Sequence, residues 1–487
     1  MKKREWKEVL VFLLVMAALV GTAYAADEKA AVGQERLEAT ATPAPEPHKH
    51  LEGEWLDWFH NPMPGLEMGL DHRFRTITSR NITTLDSDAA NNKYNFQRYR
   101  TRWSTKWLLD DDVDFNTRLI WEFRTWDEPG SKPQHTDFDE LLFDKFNFTA
   151  RNMFGLPFTG VIGRQEILDI NPWLVFDGTP LDGSRTIMLD ALRLTYDWKE
   201  TDSKVDLVYV YMNAASDAWL KPFNDRDRHF TEQDEQGLIV YLKNKSIKDT
   251  QLEGYFIYKN DNPIDVLSDP PDFPPSWSKK AEVFTYGAAV AGDIDKNWSY
   301  RVEGALQRGD KADSTGEMQD LQAYGSKNTL NYKFNDEKSN SLRAGYEYLS
   351  GNDPGTSKIE QFDPLWGEWP QWSELYIYTY SPETMIAETT NLHRFFVGHT
   401  FKPTKKLDLI TDYHLLWADD DPINGRTSFF SRSGKFRGQL ITCWLKWKCC
   451  KQLSAHLLGE YLIPGSFYNS DNRDDAFFFR FNFEYTF

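Results

Sequence analysis

The sequence predicts a closed, antiparallel transmembrane β-barrel of about eighteen strands. Three observations lead to this fold class: segments with strict period-two alternation, short turns that alternate with long loops, and a secretory leader. Hydrophobic residues make up 40% of the 487 residues and the mean hydropathy is −0.61, which excludes a helical membrane bundle. Aromatic residues nevertheless reach 15%. Low hydropathy with many aromatic residues is typical of a barrel, because half of each strand faces water. The alternative class is a large secreted all-β protein.

The first 25 residues have the features of a secretory signal peptide. A basic start, MKKREWKE, precedes the twelve apolar residues from Val9 to Val20, a stretch too short to span a bilayer comfortably. Ala23 and Ala25 then occupy the small positions of an A-x-A cleavage site. We therefore expect residues 1–25 to be removed on export.

Residues 26–53 are rich in Ala, Pro and Glu and show no apolar period, so we expect a disordered periplasmic linker there. The predicted barrel occupies residues 54–487. The formal net charge of −18 argues against a nucleic-acid partner. The three cysteines, Cys443, Cys449 and Cys450, give no disulfide framework and no metal-ligand spacing, so we predict neither a cofactor nor a metal.

Eight short polar turns divide the predicted barrel into strands. An even number of strands puts both chain ends in the periplasm, and eight short turns between nine hairpins give eighteen strands. The longer connections, for example 127–137, 170–185, 216–231, 260–279 and 419–435, would face outward from the cell. The eight turns are 110–112, 150–157, 199–203, 243–250, 292–297, 335–340, 402–406 and 448–452.

The last eleven residues, FFFRFNFEYTF, show the alternation most clearly. Every second position from Phe477 to Phe487 is aromatic, whereas the other positions are mostly polar and include Arg480. Residues 98–109 alternate in the same way, with Trp103 and Trp107 on the face opposite Arg100. We predict that the aromatic face contacts lipid and that the charged face lines the lumen.

The predicted inner face carries many basic residues. Arginine suits carboxylates because its planar fork binds them with two hydrogen bonds, and a ring of such groups attracts anions. The alternative is that many of these arginines only form ion pairs with inward Asp or Glu residues on the next strand, and Asp71, Asp114 and Glu122 are candidates for that role. The predicted pore-lining and anion-binding residues are Arg73, Arg75, Arg98, Arg100, Arg102, Lys106, Arg118, Arg124, Arg164, Glu166, Arg193, Arg343 and Arg480.

The loop at 351–391 is the longest and contains QFDPLWGEWPQWSELYIYTY. It has too many aromatic residues for a solvated loop tip. Either it folds into the barrel mouth as a plug, or it presents aromatic faces such as Trp366, Trp369 and Trp372 to a sugar chain.

Two segments resemble the alginate-export family of outer-membrane porins. They are FTGVIGRQEILDINPWLVFDGTPLDGSRTIMLDALRLTY at 158–196 and FDPLWGEWPQWSELY in the long loop, and the terminal Phe487 resembles the C-terminal signal of outer-membrane barrels. The resemblance covers 54–487 and implies an eighteen-stranded barrel with an electropositive constriction. The residues that match the family motif are Gly163, Arg164, Gln165, Glu166 and Arg185.

Three functions compete at this point. The first is an outward conduit for an acidic polysaccharide, and the second is an uptake porin for small anions or oligosaccharides. The third, an outer-membrane hydrolase, is disfavoured because no motif places a nucleophile near His414 and Asp412. The sequence thus predicts a non-enzymatic channel with no catalytic residues. The expected partners are outer-membrane lipid and lipopolysaccharide, an acidic polysaccharide and periplasmic export components, around a monomeric barrel.

Overall fold

The structure, a computed structural model, describes residues 54–176, 187–224, 229–264, 279–313, 315–384, 386–422 and 428–487. Within these ranges eighteen antiparallel strands form one closed sheet, so the predicted fold class and strand number are confirmed. The predicted leader, the linker and Arg185 lie outside the described residues. The strands are β1 Leu66–Arg80, β2 Lys93–Leu108, β3 Val113–Glu128, β4 Leu142–Ala150, β5 Phe158–Gln165, β6 Leu189–Trp198, β7 Ser203–Met212, β8 Gln233–Asn244, β9 Thr250–Pro263, β10 Ala281–Asp293, β11 Trp298–Ala312, β12 Met318–Lys333, β13 Ser341–Leu349, β14 Leu392–Thr404, β15 Leu407–Trp417, β16 Phe436–Lys448, β17 Leu453–Pro464 and β18 Ala476–Thr486.

Other regular elements are few. The barrel is supplemented by two α-helices, α1 Glu54–His60 and α2 Glu374–Thr384. A two-residue strand at His135–Thr136 also pairs with β3. Single 3-10 turns occur at Met153–Gly155, Lys199–Thr201 and Ser470–Asn472. No helix among the described residues is long and apolar enough to cross a membrane.

The barrel closes between its first and last strands. β1 pairs with β18 from Asp71 opposite Thr486 to Arg80 opposite Phe477. The backbone N–H of Phe487 donates to the carbonyl of Leu70 at 2.8 Å, so the final residue belongs to the sheet. Closure leaves no free edge, which is required because the bilayer core has no water to satisfy unpaired backbone groups.

All eight predicted short turns join neighbouring strands. Acidic side chains fix several of them: Asp110 accepts from the backbone N–H groups of Asp112 and Val113, each at 2.8 Å. Asp295 accepts in the same way from the N–H groups of Asn297 and Trp298. Such local hydrogen bonds explain why Asp- and Asn-rich segments end the strands.

The two faces of the strands differ as the alternation requires. On β2, Trp103 is 44% exposed on the outer side, whereas Arg100 is 1% exposed on the inner side. On β18, Phe483 is exposed outward, whereas Phe478 and Arg480 are buried inside the barrel. The inner face is thus polar around β1–β3 and β18.

Two loops fold into the barrel and cover much of its inner wall. We call residues 166–176, after β5, the inward loop, and residues 359–391, between β13 and β14, the strap. The ring of Trp173 in the inward loop stacks on Phe362 of the strap with ring centroids 5.6 Å apart. The backbone N–H of Trp366 donates to the carbonyl of Leu174 at 3.1 Å. Both loops pack against the inner faces of β6–β11 in one buried apolar cluster. The cluster includes Val208, Val210, Met212, Ile239, Ile257 and Val283.

Candidate functional site: the inner wall and the strap

Four arginines of β1 and β2 form the centre of a basic wall. The strand register places Arg73 opposite Arg100 and Arg75 opposite Arg98, so their guanidinium groups are neighbours. Arg73, Arg75 and Arg100 are at most 3% exposed. Like charges this close require nearby carboxylates.

Two of the carboxylates in this wall are each shared by two guanidinium groups. Glu122 on β3 lies 3.0 Å from Arg73 and 2.5 Å from Arg98. Asp71 on β1 lies 3.1 Å from Arg100 and 2.8 Å from Arg102. Glu484 adds a third carboxylate, 2.9 Å from Arg100.

Arg75 has a different environment from its neighbours. Its Nε donates to the side-chain oxygen of Asn482 on β18 at 2.7 Å. Asp114, a candidate ion-pair partner from the sequence, pairs instead with Arg151 in the periplasmic turn. The basic wall is therefore largely ion-paired, but its central carboxylates are shared.

Arg118 and Glu166 connect the basic wall to the inward loop. The Nη2 of Arg118 lies 2.7 Å from Asp144 on β4 and 2.8 Å from Glu166, the first residue of the inward loop. Glu166 also lies 3.9 Å from Arg102. Burial alone would raise the pKa of Glu166, but Arg118 and Arg102 lower it to about 2. Glu166 is thus a charged anchor of the inward loop.

Two basic residues of this wall are less compensated. Lys106, near the periplasmic end of β2, lies 3.6 Å from Glu67, and both side chains are more than one third exposed. Arg124 on β3 is half-buried and forms no hydrogen bond or ion pair within the described residues. Lys106 is thus partly exposed, and Arg124 lies on the same face of β3 as Glu122.

Arg193 and Arg343 lie on the inner face at other positions around the barrel. Arg193 on β6 pairs with Asp206 on β7 and with Asp169 of the inward loop, each at 2.7 Å. Arg343 on β13 pairs with Asp412 on β15 at 2.5 Å. His414 stacks near Trp372, and no serine or cysteine completes a catalytic triad with it among its described contacts.

Arg164 corrects one prediction. The register pairs it with Phe146 and places it on the same face of β5 as Ile162, which is 58% exposed on the outer side. Arg164 therefore does not line the lumen. It is 1% exposed because Trp219 and Phe230, both in the loop after β7, lie against its guanidinium group.

A buried ion pair explains how an arginine is accommodated on the outer face. The guanidinium of Arg164 donates two hydrogen bonds to Asp190 on β6, at 2.8 and 3.0 Å, and a third to the carbonyl of Phe143. The indole N–H of Trp219 also donates to Asp190 at 2.8 Å. An unpaired arginine facing lipid at the midplane costs about 2–4 kcal/mol, which this arrangement avoids.

The residues of the GRQE segment mark the point where the chain leaves the wall. Gly163 has φ +117° and passes so close to Phe146 that a Cβ atom would lie 2.3 Å from its carbonyl oxygen. The side chain of Gln165 donates to the carbonyl of Ala191 at 3.0 Å and closes the end of β5. Glu166 then turns into the lumen. The segment therefore has a structural role in placing the inward loop.

The strap is attached to the barrel wall at both ends. Near its start, Asp363 pairs with Lys311 on β11 at 2.6 Å. Near its end, Glu383 pairs with both Nη atoms of Arg437 on β16, at 2.7 and 2.8 Å. The strap thus spans the lumen between two walls.

The helix α2 of the strap packs against β17 and β18. Glu460 on β17 accepts hydrogen bonds from the N–H groups of Glu374 and Leu375 at 3.2 and 2.6 Å, which satisfies the start of the helix. The Nη1 of Arg480 lies 2.9 Å from Glu374. Burial alone would raise the pKa of Glu374, but Arg480 and Arg75 lower it to about 2.

The aromatic residues of the strap mostly pack inside it. Trp366 is 4% exposed, and its indole N–H donates to Glu235 on β8 at 2.9 Å. Trp369 donates to the carbonyl of Ile386, and Trp372 stacks on Tyr376 with centroids 5.2 Å apart. Of the two interpretations of the long loop, the structure favours folding into the barrel.

The sequence reading missed the wall residues that hold the strap. Arg437 and Lys311 form these contacts, and Arg394 stacks on Trp372 at 4.8 Å while pairing with Glu347. The one available signal was their position within strands. A charged residue in such a place requires a partner from elsewhere in the chain.

Comparison with known proteins agrees with this architecture. The family model described as alginate export matches residues 65–478. No curated protein matches the sequence. Among solved structures, OpdO from Pseudomonas aeruginosa is similar with a TM-score of 0.53 at 11% identity, covering 87% of this chain and 97% of that one. A BenF-like porin from Pseudomonas fluorescens Pf-5 gives a TM-score of 0.53 at 10% identity, covering 87% and 100%.

At such low identity the solved structures support the fold alone, whereas the family match spans most of the chain. The protein belongs to the alginate export family and is an outer-membrane β-barrel channel.

Proposed function

We propose that this channel conducts an anionic, alginate-like polysaccharide outward across the outer membrane. The observation that carries the proposal is the basic wall of β1–β3, where Asp71 and Glu122 are each shared by two arginines. The strand β2 itself contributes Arg98, Arg100, Arg102 and Lys106 and no acidic residue, so this wall would attract anions within a Debye length of about 8–10 Å. The overall charge of −18 does not oppose this, because it is summed over the whole chain and many of the acidic residues occur in turns and loops.

Weak binding at successive cations suits a moving polymer. Each carboxylate of the polymer would exchange its counterion for a guanidinium group and then pass to the next one. Along β2, Arg98, Arg100, Arg102 and Lys106 lie on the same face at two- and four-residue intervals. Together they provide a continuous basic track towards the periplasmic end of the barrel.

The proposal is tested by measuring reversal potentials and polymer passage in planar bilayers. Replacing both Arg100 and Arg102 by Glu should shift the reversal potential towards cations and slow the passage of oligomannuronate. The matched control replaces Arg80 and Lys93 by Glu, because these residues are paired on the same two strands but are exposed on the outer face. A cation-selective wild-type channel, or a lumen double variant that conducts like the wild type, would contradict the export proposal.

An uptake porin for small anions or oligosaccharides is the second candidate. It is favoured by the contact between the inward loop and the strap, because two loops that meet inside the barrel narrow the lumen. In this contact the backbone N–H of Trp366 donates a hydrogen bond to the carbonyl of Leu174. Vesicles that admit small organic anions but do not pass oligomannuronate would support this second function.

A further inference from the structure

One part of the lumen combines aromatic side chains with an arginine that forms no hydrogen bond or ion pair among the described residues. It lies between the extracellular half of the β2–β3 wall and helix α2 of the strap. Tyr94 of β2 has its ring centroid 6.2 Å from Trp126 of β3 and 6.2 Å from Tyr378 of α2. Arg124 precedes Trp126 by two residues and therefore lies on the same inner face.

Arg124 forms no hydrogen bond or ion pair within the described part of the chain, although Asp137 and Glu122 act on its charge from a greater distance. The carboxylate nearest along its own strand, Glu122, already pairs with Arg73 and Arg98. Arg98 is directly opposite Arg124 in the register, which adds a second positive charge. Lys132 adds a third, with its Nζ 5.7 Å from the ring centroid of Trp126. This cluster is suited to bind an anion.

The aromatic residues add a second recognition element. The indole N–H of Trp126 donates to Thr136 at 2.9 Å, which fixes the orientation of its ring. The hydroxyl groups of Tyr94 and Tyr378 form no hydrogen bond among the described residues, and the side chain of Tyr378 interacts electrostatically with Arg124. Aromatic faces are electron-rich and attract C–H groups, such as those on one face of a sugar ring.

We propose that Arg124, Tyr94, Trp126 and Tyr378 form a subsite for one hexuronate residue of the transported chain. The guanidinium fork would bind the sugar carboxylate with two hydrogen bonds, the rings would contact the sugar, and the tyrosine hydroxyls would bind its hydroxyl groups. This inference rests on the proposed function and identifies where within the lumen the cargo is selected. A ligand with only the carboxylate or only the sugar ring would satisfy half of the subsite.

The test measures block of single-channel current by short oligomannuronate, with neutral maltooligosaccharide and acetate as comparison ligands. Replacing Arg124 by Gln should raise the half-blocking concentration of oligomannuronate about tenfold to a hundredfold, as expected for loss of charge-assisted hydrogen bonds. Arg124→Lys keeps the charge without the fork and should give a smaller increase. Tyr378→Phe keeps the ring and should raise it several-fold. Neither maltooligosaccharide nor acetate should block the wild type at comparable concentrations.

The control variant is Arg308→Gln. Arg308 lies on the outer face of β11, where it stacks on Tyr324 at 5.3 Å, so its removal should leave the block unchanged. Unchanged oligomannuronate block in a folded Arg124→Gln variant, or equal block by acetate or maltooligosaccharide, would overturn the subsite. The reversal potential of the wild type tests the proposed function separately: an anion-selective channel that oligomannuronate does not block would refute the subsite alone.

Discussion

The ion pair between Glu383 and Arg437 should control whether the strap stays in the lumen. Both side chains are at most 3% exposed, and the guanidinium also donates to the carbonyl of Asn391 at 2.9 Å. It stacks on Phe467 at 4.2 Å as well, so it cannot turn towards water while the strap is in place. Replacing Glu383 by Gln would leave a buried charge without its counter-charge.

The magnitude follows from this geometry. Removing one partner of a buried ion pair costs about 3–5 kcal/mol. Glutamine keeps one amide oxygen as an acceptor, so we expect a value near the lower limit, about 3 kcal/mol. At about 1.4 kcal/mol per tenfold change, the equilibrium between the packed and the released strap should shift on the order of a hundredfold towards release.

Single-channel recording should show this shift as a new state of higher conductance in Glu383→Gln. The control is Asp408→Asn, which removes an ion pair with Lys402 at 3.6 Å in which the Asp408 side chain is 38% exposed. Such a pair contributes only about 0–1 kcal/mol, so this variant should conduct like the wild type. The reasoning is refuted if Glu383→Gln folds, as judged by its heat-dependent gel mobility, and its conductance is unchanged.

Three further predictions concern the wall and the strap. Gly163→Ala should lower the yield of folded barrel in a refolding assay, because the added Cβ atom would lie 2.3 Å from the carbonyl oxygen of Phe146 and the backbone has a φ of +117°. The control is Gly130→Ala, which should fold normally in the same assay because an added Cβ atom there has no atom within 4 Å. Trp219→Ala should expose the buried Arg–Asp pair to lipid and lower the free energy of unfolding in urea by about 1–3 kcal/mol; an unchanged midpoint would show that the cover is dispensable. The pKa of Glu374 is lowered to about 2, so the stability that its charge contributes should be complete above about pH 4.5 and disappear as the pH falls towards 2. The difference in unfolding free energy between wild type and Glu374→Gln should therefore shrink over that pH range. A difference that does not depend on pH would contradict the assignment.

The sequence alone determined the strand number, the short turns and the division of most strands into outer and inner faces. These properties depend on local information: the period-two alternation places Trp103 and Arg100 on opposite faces, and Asp110 ends a strand through hydrogen bonds to the next residues. Closure followed as well, because a transmembrane sheet cannot keep a free edge. The resemblance of the GRQE segment also indicated the family that the comparison established.

Only the tertiary structure decided how each arginine is paired. Arg75 contacts Asn482, which is 407 positions away in sequence, and Arg480 contacts Glu374 on a loop that returns from the other side of the barrel. Such pairs depend on the register of distant strands and on the path of a long loop, neither of which the alternation encodes. The alternation likewise could not show that an outer loop covers Arg164, so the sequence placed that residue in the lumen. An ionic partner is set by three-dimensional proximity, and for these side chains the fold as a whole determines it.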